Sequence, residues 1–299
     1  MASLRDIRKH IKSVKNIKQI TYAMKMVAAA RIKKAQTAIL SSRPFAAHME
    51  ELISDLYDEL AGEDSCSPRA HLLCADKGES AGARGLVLIA ADKGLCGSFN
   101  SNLLKAAAAW LRENRERKLY VICVGRKSRD FMKRLKGLDL EIAYEMIGIF
   151  PKAGYVHANL LSENILRLFS RPDVQRVSLI YNEFKSMLVQ HIVRTELLPL
   201  KRNALSGAGA ARLKGFGFEP EKRTLLDVLL PRYVGAQMYR VLLESQAAEL
   251  AALMNAMEAA SKNASELIDG LTLRLNKMRQ AMITTELNEI VSGAEALGG

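Results

Sequence analysis

The segment Asp92–Asn100 (DKGLCGSFN) is the first place in the sequence where residue types and spacing could support chemistry. It lies between a predicted strand and a predicted helix, where doubly wound α/β proteins bind nucleotide phosphates. It contains neither G-x-G-x-x-G nor G-x-x-x-x-G-K-[ST], and Gly125–Ser128 resembles only the end of a phosphate-binding loop. We therefore predict a tight turn, with Gly94 and Gly97 in special backbone conformations, rather than a nucleotide site.

Histidine and cysteine, the residue types most used for metal binding and nucleophilic catalysis, are scattered along the chain. No His has a carboxylate at ligand or triad spacing, and the four cysteines lack CxxC spacing and a nearby His cluster. Cys96 precedes a predicted helix, whose N-terminus can lower a thiol pKa, but no His or acid is predicted beside it. We predict free thiols in a reducing compartment, no zinc or other metal, no cofactor and no catalytic constellation. The residues concerned are His10, His48, His71, His157, His191, Cys66, Cys74, Cys96 and Cys123.

Basic residues are concentrated at the N-terminus. The net charge is +12, and the first forty residues contain ten Lys or Arg against Asp6 alone. Such a segment suits an acidic partner, which could be nucleic acid, anionic lipid or acidic protein loops; solvated charges on the outside of a helix are the plainer interpretation. Nucleic acid is the weaker alternative, because Tyr22 is the only aromatic residue there and no groove-reading module is recognisable.

A long C-terminal helix is predicted from Pro231 to about Val291. About 55 residues would span roughly 80 Å, which is wider than one globular core. Its charged residues exclude a membrane span, so a coiled coil with a second long helix remains. Its apolar residues recur in steps of three and four: Met238, Val241, Leu242, Ala248, Ala252, Leu267, Leu271, Leu275, Met278 and Met282.

The second long helix is predicted at the N-terminus, where residues 3–43 contain neither glycine nor proline. Ser3 and Asp6 fit a weak capping box at its start. Pro44 is a candidate kink, and the apolar stripe resumes after it until Gly62–Pro68 ends the helix. Two such helices pair antiparallel if the middle of the chain folds as an insert. The predicted stripe comprises Leu4, Ile7, Ile11, Val14, Ile17, Ile20, Met24, Val27, Ala28, Ala35 and Ile39.

The middle of the chain is predicted to be an α/β domain with a mostly parallel sheet, because apolar runs alternate with helical segments. Strands are predicted at 84–91, 119–125, 177–184 and 189–200, the last two as a hairpin near the sheet edge. Helices are predicted from 101, from 126 and over 155–169. The predicted divisions are 1–61 (N-terminal coiled-coil helix), 62–202 (Rossmann-like α/β domain), 203–231 (linker and helix start), 232–292 (C-terminal coiled-coil helix) and 293–299 (tail).

The segment Ile283–Ala296 (ITTELNEIVSGAEA) is more specific in sequence than a helix alone requires. Polar residues interrupt the apolar stripe, and Gly293 is predicted to end the helix. The pattern I-T-x-E-x-x-[DE]-x-x-x-G-A is matched by Ile283, Thr284, Glu286, Glu289, Gly293 and Ala294. The chain resembles the gamma subunit of F-type ATP synthases over nearly its whole length. The resemblance is carried by this pattern and by the segments Ile7–Gln36, DKGLCGSFN and VSLIYNEFKS.

The resemblance implies a rotor. In that family the two terminal helices form an antiparallel coiled coil inside a ring of three α and three β subunits. The inserted domain lies against the epsilon subunit and the membrane c-ring. Flow of protons, or of sodium in some relatives, turns this subunit, which binds no nucleotide and has no catalytic site of its own. The resemblance also implies a peripheral position on the cytoplasmic face of the bacterial plasma membrane.

By position, the resemblance assigns six residues to contacts with β subunits. Arg279 and Gln280 match the pair that binds a β loop, and Thr284 and Glu286 lie in the signature beyond them. Met24 and Lys25 match the point that faces an acidic loop of β.

One departure from the family is Leu253, where an arginine is usual, so a polar contact to β is expected to be missing. The alternative function is a basic coiled-coil adaptor that binds nucleic acid or scaffolds other proteins.

Overall fold

The computed structural model describes residues 3–60, 82–150, 152–200 and 219–297. Contacts divide the chain into two units, which we call the terminal unit (Met1–Ala29 with Leu253–Gly299) and the sheet unit (Ala30–Ala252). The elements in chain order are α1 (Leu4–Leu60), β1 (Ala83–Ile89), α2 (Phe99–Glu113), β2 (Leu119–Val124), α3 (Arg126–Met132), β3 (Leu140–Met146), α4 (Tyr155–Phe169), β4 (Val174–Phe184), β5 (Gln190–Leu198) and α5 (Lys222–Leu297).

The sheet of the sheet unit has the strand order β3-β2-β1-β4-β5 in the part of the chain that is described. β1 pairs in parallel with β2 and β4, and β2 with β3, whereas β5 is antiparallel to β4 at the edge. Leu86 and Leu88 of β1 enter one core, Val87 and Ile89 enter the other, and all four are fully buried. Helices therefore cover both faces, which explains the continuous apolar runs. The predicted Rossmann-like domain with an edge hairpin is confirmed.

Different helices supply the two cores. Leu103 and Trp110 of α2 pack on one face of the sheet. On the other face, Leu161 of α4 packs in the same core as Met238 and Leu242 of α5. The long C-terminal helix is therefore part of the core of the sheet unit, and its apolar spacing there serves the sheet as well as a helix partner.

Within the sheet unit, α1 and α5 also pack against each other, and their pairing is antiparallel. Residues later in α1 pack against residues earlier in α5. One cluster combines Met49, Ile53 and Leu56 with Leu226, Leu230, Tyr233 and Ala236, and a second combines Ala35 and Ile39 with Leu243 and Ala247.

Within the terminal unit, α1 and α5 bury side chains at a seven-residue repeat, which we call the seam. On α1 the buried residues Ile7, Val14, Thr21 and Ala28 are each seven residues apart, and on α5 Met257 and Ala264 are seven apart. A seven-residue repeat keeps one stripe facing a partner helix and is typical of a coiled coil. The predicted coiled coil of the two chain ends is confirmed.

Several members of the predicted stripes lie outside the seam. Ile17, Ile20 and Val27 are 50%, 59% and 50% exposed, and Leu267 and Met282 are each 47% exposed. Steps of three and four fit several helix faces, and only steps that sum to seven return to the same face of a coiled coil. The prediction that these five side chains pack in the coiled coil is therefore wrong.

The ends of the helices differ from the predictions. Asp6 N–H donates to Ser3 Oγ at 3.2 Å and Ser3 N–H donates to Asp6 Oδ2 at 3.1 Å, and these two reciprocal bonds confirm the capping box. α5 already begins at Lys222, contains Pro231 and passes Gly293 to end at Leu297, so the predicted end at Gly293 is wrong. An exposed glycine inside a helix costs only about 1 kcal/mol, which is too little to end it.

The strand β3 was not predicted. Its sequence, LEIAYEM, contains Glu141 and Glu145, and it lies at the sheet edge, where alternate side chains stay exposed. The segments Gly62–Pro68 and Asn203–Gly217, predicted as a helix end and a link, lie outside the described residues. The division of the chain at 61, 202, 231 and 292 stays a prediction.

Candidate partner-binding surfaces and the loop after β1

The carboxylate of Asp92 organises the loops at the carboxyl ends of three parallel strands. Its Oδ1 accepts the N–H groups of Arg126 (3.0 Å) and Gly148 (2.8 Å), and its Oδ2 accepts that of Phe150 (3.1 Å). These donors follow β2 and β3, whereas Asp92 follows β1. In a nucleotide-binding loop, backbone N–H groups at this edge would point at a phosphate. Here these three bind a carboxylate of the same chain.

The rest of the loop is also braced internally. Asn100 Oδ1 accepts the N–H of Ala91 at 3.1 Å, and its Nδ2 donates to the carbonyl of Lys93 at 3.3 Å. Gly97 has a φ of 58°, as predicted for a tight turn, but the other left-handed residue is Leu95 (φ 69°) rather than Gly94. The tight turn and the conformation of Gly97 are as predicted, whereas the prediction for Gly94 is wrong.

The partial likeness of Gly125–Ser128 to a phosphate-binding loop has a packing explanation. Gly125 has a φ of 86°, and an added Cβ would overlap the carbonyl oxygen of Ala90. The buried hydroxyl of Ser128 donates to the carbonyls of Val124 and Gly125, both at 2.7 Å. Glycine is therefore required by the close approach of two strand ends, and the serine is occupied by backbone.

The thiols of Cys96 and Cys123 are buried and free. Burial, helped by the charge of nearby Glu249, raises the pKa of Cys96 to about 11. Burial likewise raises the pKa of Cys123 to about 12. A helix N-terminus therefore does not activate Cys96, and both side chains behave as small apolar groups.

Glu249 on α5 is a glutamate of the sheet unit whose pKa is clearly raised. Burial raises the pKa of its carboxyl to about 7, and the negative charge of Asp92 acts in the same direction. Lys93 opposes the shift in part. Sequence patterns did not single out Glu249, because its burial and its acidic neighbour both depend on the tertiary fold.

Lys25 is paired across the coiled coil of the terminal unit. Its Nζ lies 2.6 Å from Oε1 of Glu258, and the two side chains are 28% and 58% exposed. Lys25 stands four residues after the buried Thr21, on the flank of the seam, and Met24 beside it is half-buried. The structure therefore brings Lys25 together with a carboxylate that sequence reasoning did not include.

The other predicted contact residues lie on an exposed section of α5. Every residue from Arg279 to Ala294 is exposed. The hydroxyl of Thr284 donates to the carbonyl of Gln280 at 3.0 Å, and that of Thr285 to Ala281 at 2.9 Å. The remaining signature residues Ile283, Glu286, Glu289, Gly293 and Ala294 are also helical and exposed. Arg279 follows Glu258, the α5 partner of Lys25, by 21 residues, so the structure does not gather the six residues into one site.

An apolar stripe on this exposed section does not continue the seam. Ile283, Leu287 and Ile290 are 49%, 56% and 68% exposed and share one face, being three or four residues apart. Ile283 follows the buried Ala264 by 19 residues, which turns it roughly 100° away around the helix. The stripe is therefore a separate surface, and we call it the terminal apolar stripe. An exposed stripe of this kind is typical of a helix that binds a partner.

In the described ranges, no three or more His, Cys, Asp and Glu side chains are grouped so as to hold a metal ion. Over the same ranges, no helix is both long and apolar enough to cross a membrane.

The chain is similar to known proteins over almost its full length. A family model described as "ATP synthase" matches residues 3–297. The ATP synthase gamma chain of Elusimicrobium minutum (strain Pei191) is 45% identical over 301 residues, covering 99% of each chain. That of Anaeromyxobacter sp. (strain K) is 42% identical and covers 99% of this chain and 100% of its own.

Solved structures share the fold. A structure of Euglena gracilis mitochondrial ATP synthase (OSCP/F1/c-ring, rotational state 3) aligns with a TM-score of 0.65 at 19% identity, over 98% of this chain and 94% of the other. A structure of Tetrahymena thermophila mitochondrial ATP synthase (central stalk/c-ring) aligns with a TM-score of 0.57 at 24% identity, over 81% of this chain and 99% of the other.

Proposed function

This chain belongs to the ATP synthase gamma-chain family, and on that premise we propose that it is the central-stalk rotor subunit of an F-type ATP synthase. It turns inside the α/β ring and couples proton flow through the c-ring to ATP synthesis or hydrolysis on β. The observation that carries this proposal is 45% identity to a gamma chain over 99% of the sequence. The alternative, a basic coiled-coil adaptor for nucleic acid or scaffolding, has no support from the relatives.

The paired helices suit the transmission of torque. A rotor has to resist twisting, and two helices that interlock along a seam resist it better than one. Each fully buried aliphatic side chain contributes roughly 1.5–3 kcal/mol, and Ile7 and Val14 in the terminal unit are each only 4% exposed. A helix pair has chemically different faces, so each β subunit meets a different face. This differential contact shifts the conformational populations of β.

We assign the contacts with β to six residues. Arg279, Gln280, Thr284 and Glu286 are exposed on α5, which supports their availability to a partner. Met24 and Lys25 form a second contact point on α1, where the ion pair with Glu258 orients the ammonium group. The terminal apolar stripe supplies the uncharged surface beside the first group.

The chain itself is proposed to be non-catalytic, so that ATP chemistry stays on β. This proposal is supported by the loop after β1, where Asp92 and Asn100 occupy the backbone groups that could otherwise hold a phosphate. The proposed partners are three α and three β subunits, the epsilon subunit and the c-ring. The proposed location is the cytoplasmic face of the bacterial plasma membrane, where contact with the c-ring keeps the subunit peripheral.

Co-expression with α and β tests the proposal. The chain is expected to co-purify with both subunits and to increase their ATPase activity. An adaptor would instead bind nucleic acid with an affinity that falls steeply with salt. Salt-sensitive nucleic-acid binding without assembly would reject the rotor assignment.

A double substitution tests the proposed contact residues. Arg279→Ala with Gln280→Ala is expected to lower ATPase turnover of the assembled complex more than it lowers assembly, because contact with β is lost while the seam is intact. Arg274→Ala with Asn276→Ala is the matched control, since both residues are exposed on the same helix. Wild-type turnover in the first variant would remove Arg279 and Gln280 from the proposal.

A further inference from the structure

A cavity of about 300 Å³ lies between the edge of the sheet and α5, inside the sheet unit. This volume is at the lower end of the range for ligand pockets, about 300–1,000 Å³, so the cavity suits a compact molecule. Strands β4 and β5 form one wall and α5 forms the other. Much of the lining is aliphatic and includes Leu179, Leu197, Leu200, Val234 and Met238.

The polar part of the lining contains an acid and an arginine. The side chain of Glu196 on β5 is 15% exposed, and its Oε1 lies 3.0 Å from Nη1 of Arg176, so its charge is balanced within the sheet. Arg240 of α5 lines the same cavity, and its Nε atom is buried. Among the described residues, that Nε has no hydrogen-bond acceptor.

A second acid, Glu244, stands four residues after Arg240 on α5 and is 7% exposed. It acts on the hydroxyl of Tyr181, another residue of the cavity lining. Burial raises the pKa of this hydroxyl well above its usual range, and the charge of Glu244 acts in the same direction. Tyr181 therefore stays neutral, and within the described part of the chain neither acid accepts the N–H of Arg240 Nε.

The buried N–H of Arg240 calls for an acceptor from outside the chain. A buried donor of a charged group is costly when it has lost its water without gaining a hydrogen bond. An ordered water could accept this bond, but a buried water needs two to four polar partners, and most of the cavity wall is hydrocarbon. A molecule with one acidic end and one apolar end satisfies both parts of the cavity.

We propose that this cavity between the β4–β5 edge and α5 binds a small amphipathic carboxylate. The carboxylate accepts the N–H of Arg240 Nε, and the hydrocarbon part packs on Leu179, Val234 and Met238. A single negative charge is favoured over a phosphate dianion, because Glu196 and Glu244 already accompany the arginine. None of these residues is among those assigned to contacts with β, so the site is independent of the rotor assignment.

Calorimetric titration of the full-length chain with octanoate tests the site. The wild-type chain is expected to bind a single octanoate. Octylammonium is expected not to bind, because its cationic head would lie beside Arg240. Arg240→Gln is expected to weaken octanoate binding by about tenfold to a hundredfold, because a hydrogen bond between charged groups is lost. Arg167→Gln is the matched control and is expected to bind as wild type, since Arg167 is exposed on α4 and outside the cavity lining.

Thr195→Trp tests the cavity without changing Arg240. Thr195 lines the cavity but is exposed on an edge strand, where an aromatic residue is well tolerated, so the larger side chain should close the space and keep the fold. Thermal unfolding without octanoate checks that each variant folds. The proposal is overturned if the wild-type chain does not bind octanoate, if octylammonium binds as tightly, or if Arg240→Gln or Thr195→Trp binds octanoate as wild type does.

Discussion

The side chain of Asp92 links three loops at the carboxyl edge of the sheet. It accepts three backbone N–H groups, from Arg126, Gly148 and Phe150, and it is only 8% exposed. Its neighbour Lys93 is exposed and accepts none of these hydrogen bonds. One buried carboxylate thus joins three loops that are distant in sequence.

Asp92→Ala is expected to destabilise the fold by about 3 kcal/mol, because hydrogen bonds to a charged group are strong and three backbone donors, one of them in the buried Phe150, lose their acceptor. Chemical denaturation measures the loss. Asp130→Ala is the control, since Asp130 pairs with Arg129 on the surface and little stability is expected to be lost there. Equal losses in the two variants would contradict the role of Asp92.

The pair Lys25–Glu258 is expected to contribute little to stability. A double-mutant cycle with Lys25→Ala and Glu258→Ala should give a coupling of about 0.2–1 kcal/mol that decreases with salt, because both side chains are partly exposed. A coupling well above this range would mean that Lys25 serves mainly inside the coiled coil. That result would count against its assignment to β.

The sequence singles out the signature residues, which the structure leaves exposed, but it does not indicate the ionic partners. Arg279, Thr284 and Glu286 belong to a local pattern that is visible in the chain itself. Glu258 pairs with Lys25, 233 residues away in the sequence, only through the register of two helices, and the charge of Asp92 acts on Glu249 only through the tertiary fold. A pattern within one sequence does not show which distant residues come together in the fold.

At the scale of elements, burial separates residues that look alike in sequence. Ile53 and Ile20 are both isoleucines of α1, yet the first is fully buried in the sheet unit and the second is 59% exposed in the terminal unit. The predicted stripe included Ile20 because steps of three and four fit more than one helix face. The seven-residue repeat decides which face is buried.

Ile53→Ala is expected to cost about 2–5 kcal/mol, because it removes a side chain packed against Leu226 and Leu230 and leaves a cavity. Ile20→Ala is the matched control and is expected to change the free energy of unfolding by less than about 0.5 kcal/mol. Thermal or urea unfolding of both variants measures the difference. A small loss for Ile53→Ala would show that the α1–α5 packing in the sheet unit is dispensable.

Weakening the helix pair in the terminal unit is expected to uncouple the complex. Leu271→Ala with Leu275→Ala removes two half-buried side chains, whereas Leu273→Ala changes a side chain that is 60% exposed. Proton-driven ATP synthesis in proteoliposomes should fall in the first variant and persist in the second. Unchanged ATP synthesis in both variants would mean that these two leucines do not determine the stiffness of the helix pair.

The elements least predictable from sequence are those where tertiary packing overrides local propensity. α5 passes Pro231 because Leu230, Tyr233 and Val234 are buried on either side of the proline. The strand β3 escaped prediction because its glutamates interrupt the apolar run. Strands β1 and β2 were predicted correctly, since both are buried on two faces.

At the scale of the whole molecule, the order of elements was predictable except for β3. Two long helical patterns at the chain ends enclose alternating strands and helices, and short parallel connections leave few arrangements for such a sequence. The position of β5 at the edge of the sheet followed from its antiparallel pairing with β4. The family resemblance added the function, which the fold alone does not specify.

Rotation of the chain inside the α/β ring is the most direct test of the rotor assignment. The four native cysteines are replaced by serine, and a probe is attached through Lys136→Cys, an exposed position in the turn between α3 and β3. With the ring immobilised and ATP supplied, the probe is expected to turn stepwise in one direction. ATP hydrolysis by the assembled complex with a stationary probe would contradict the account.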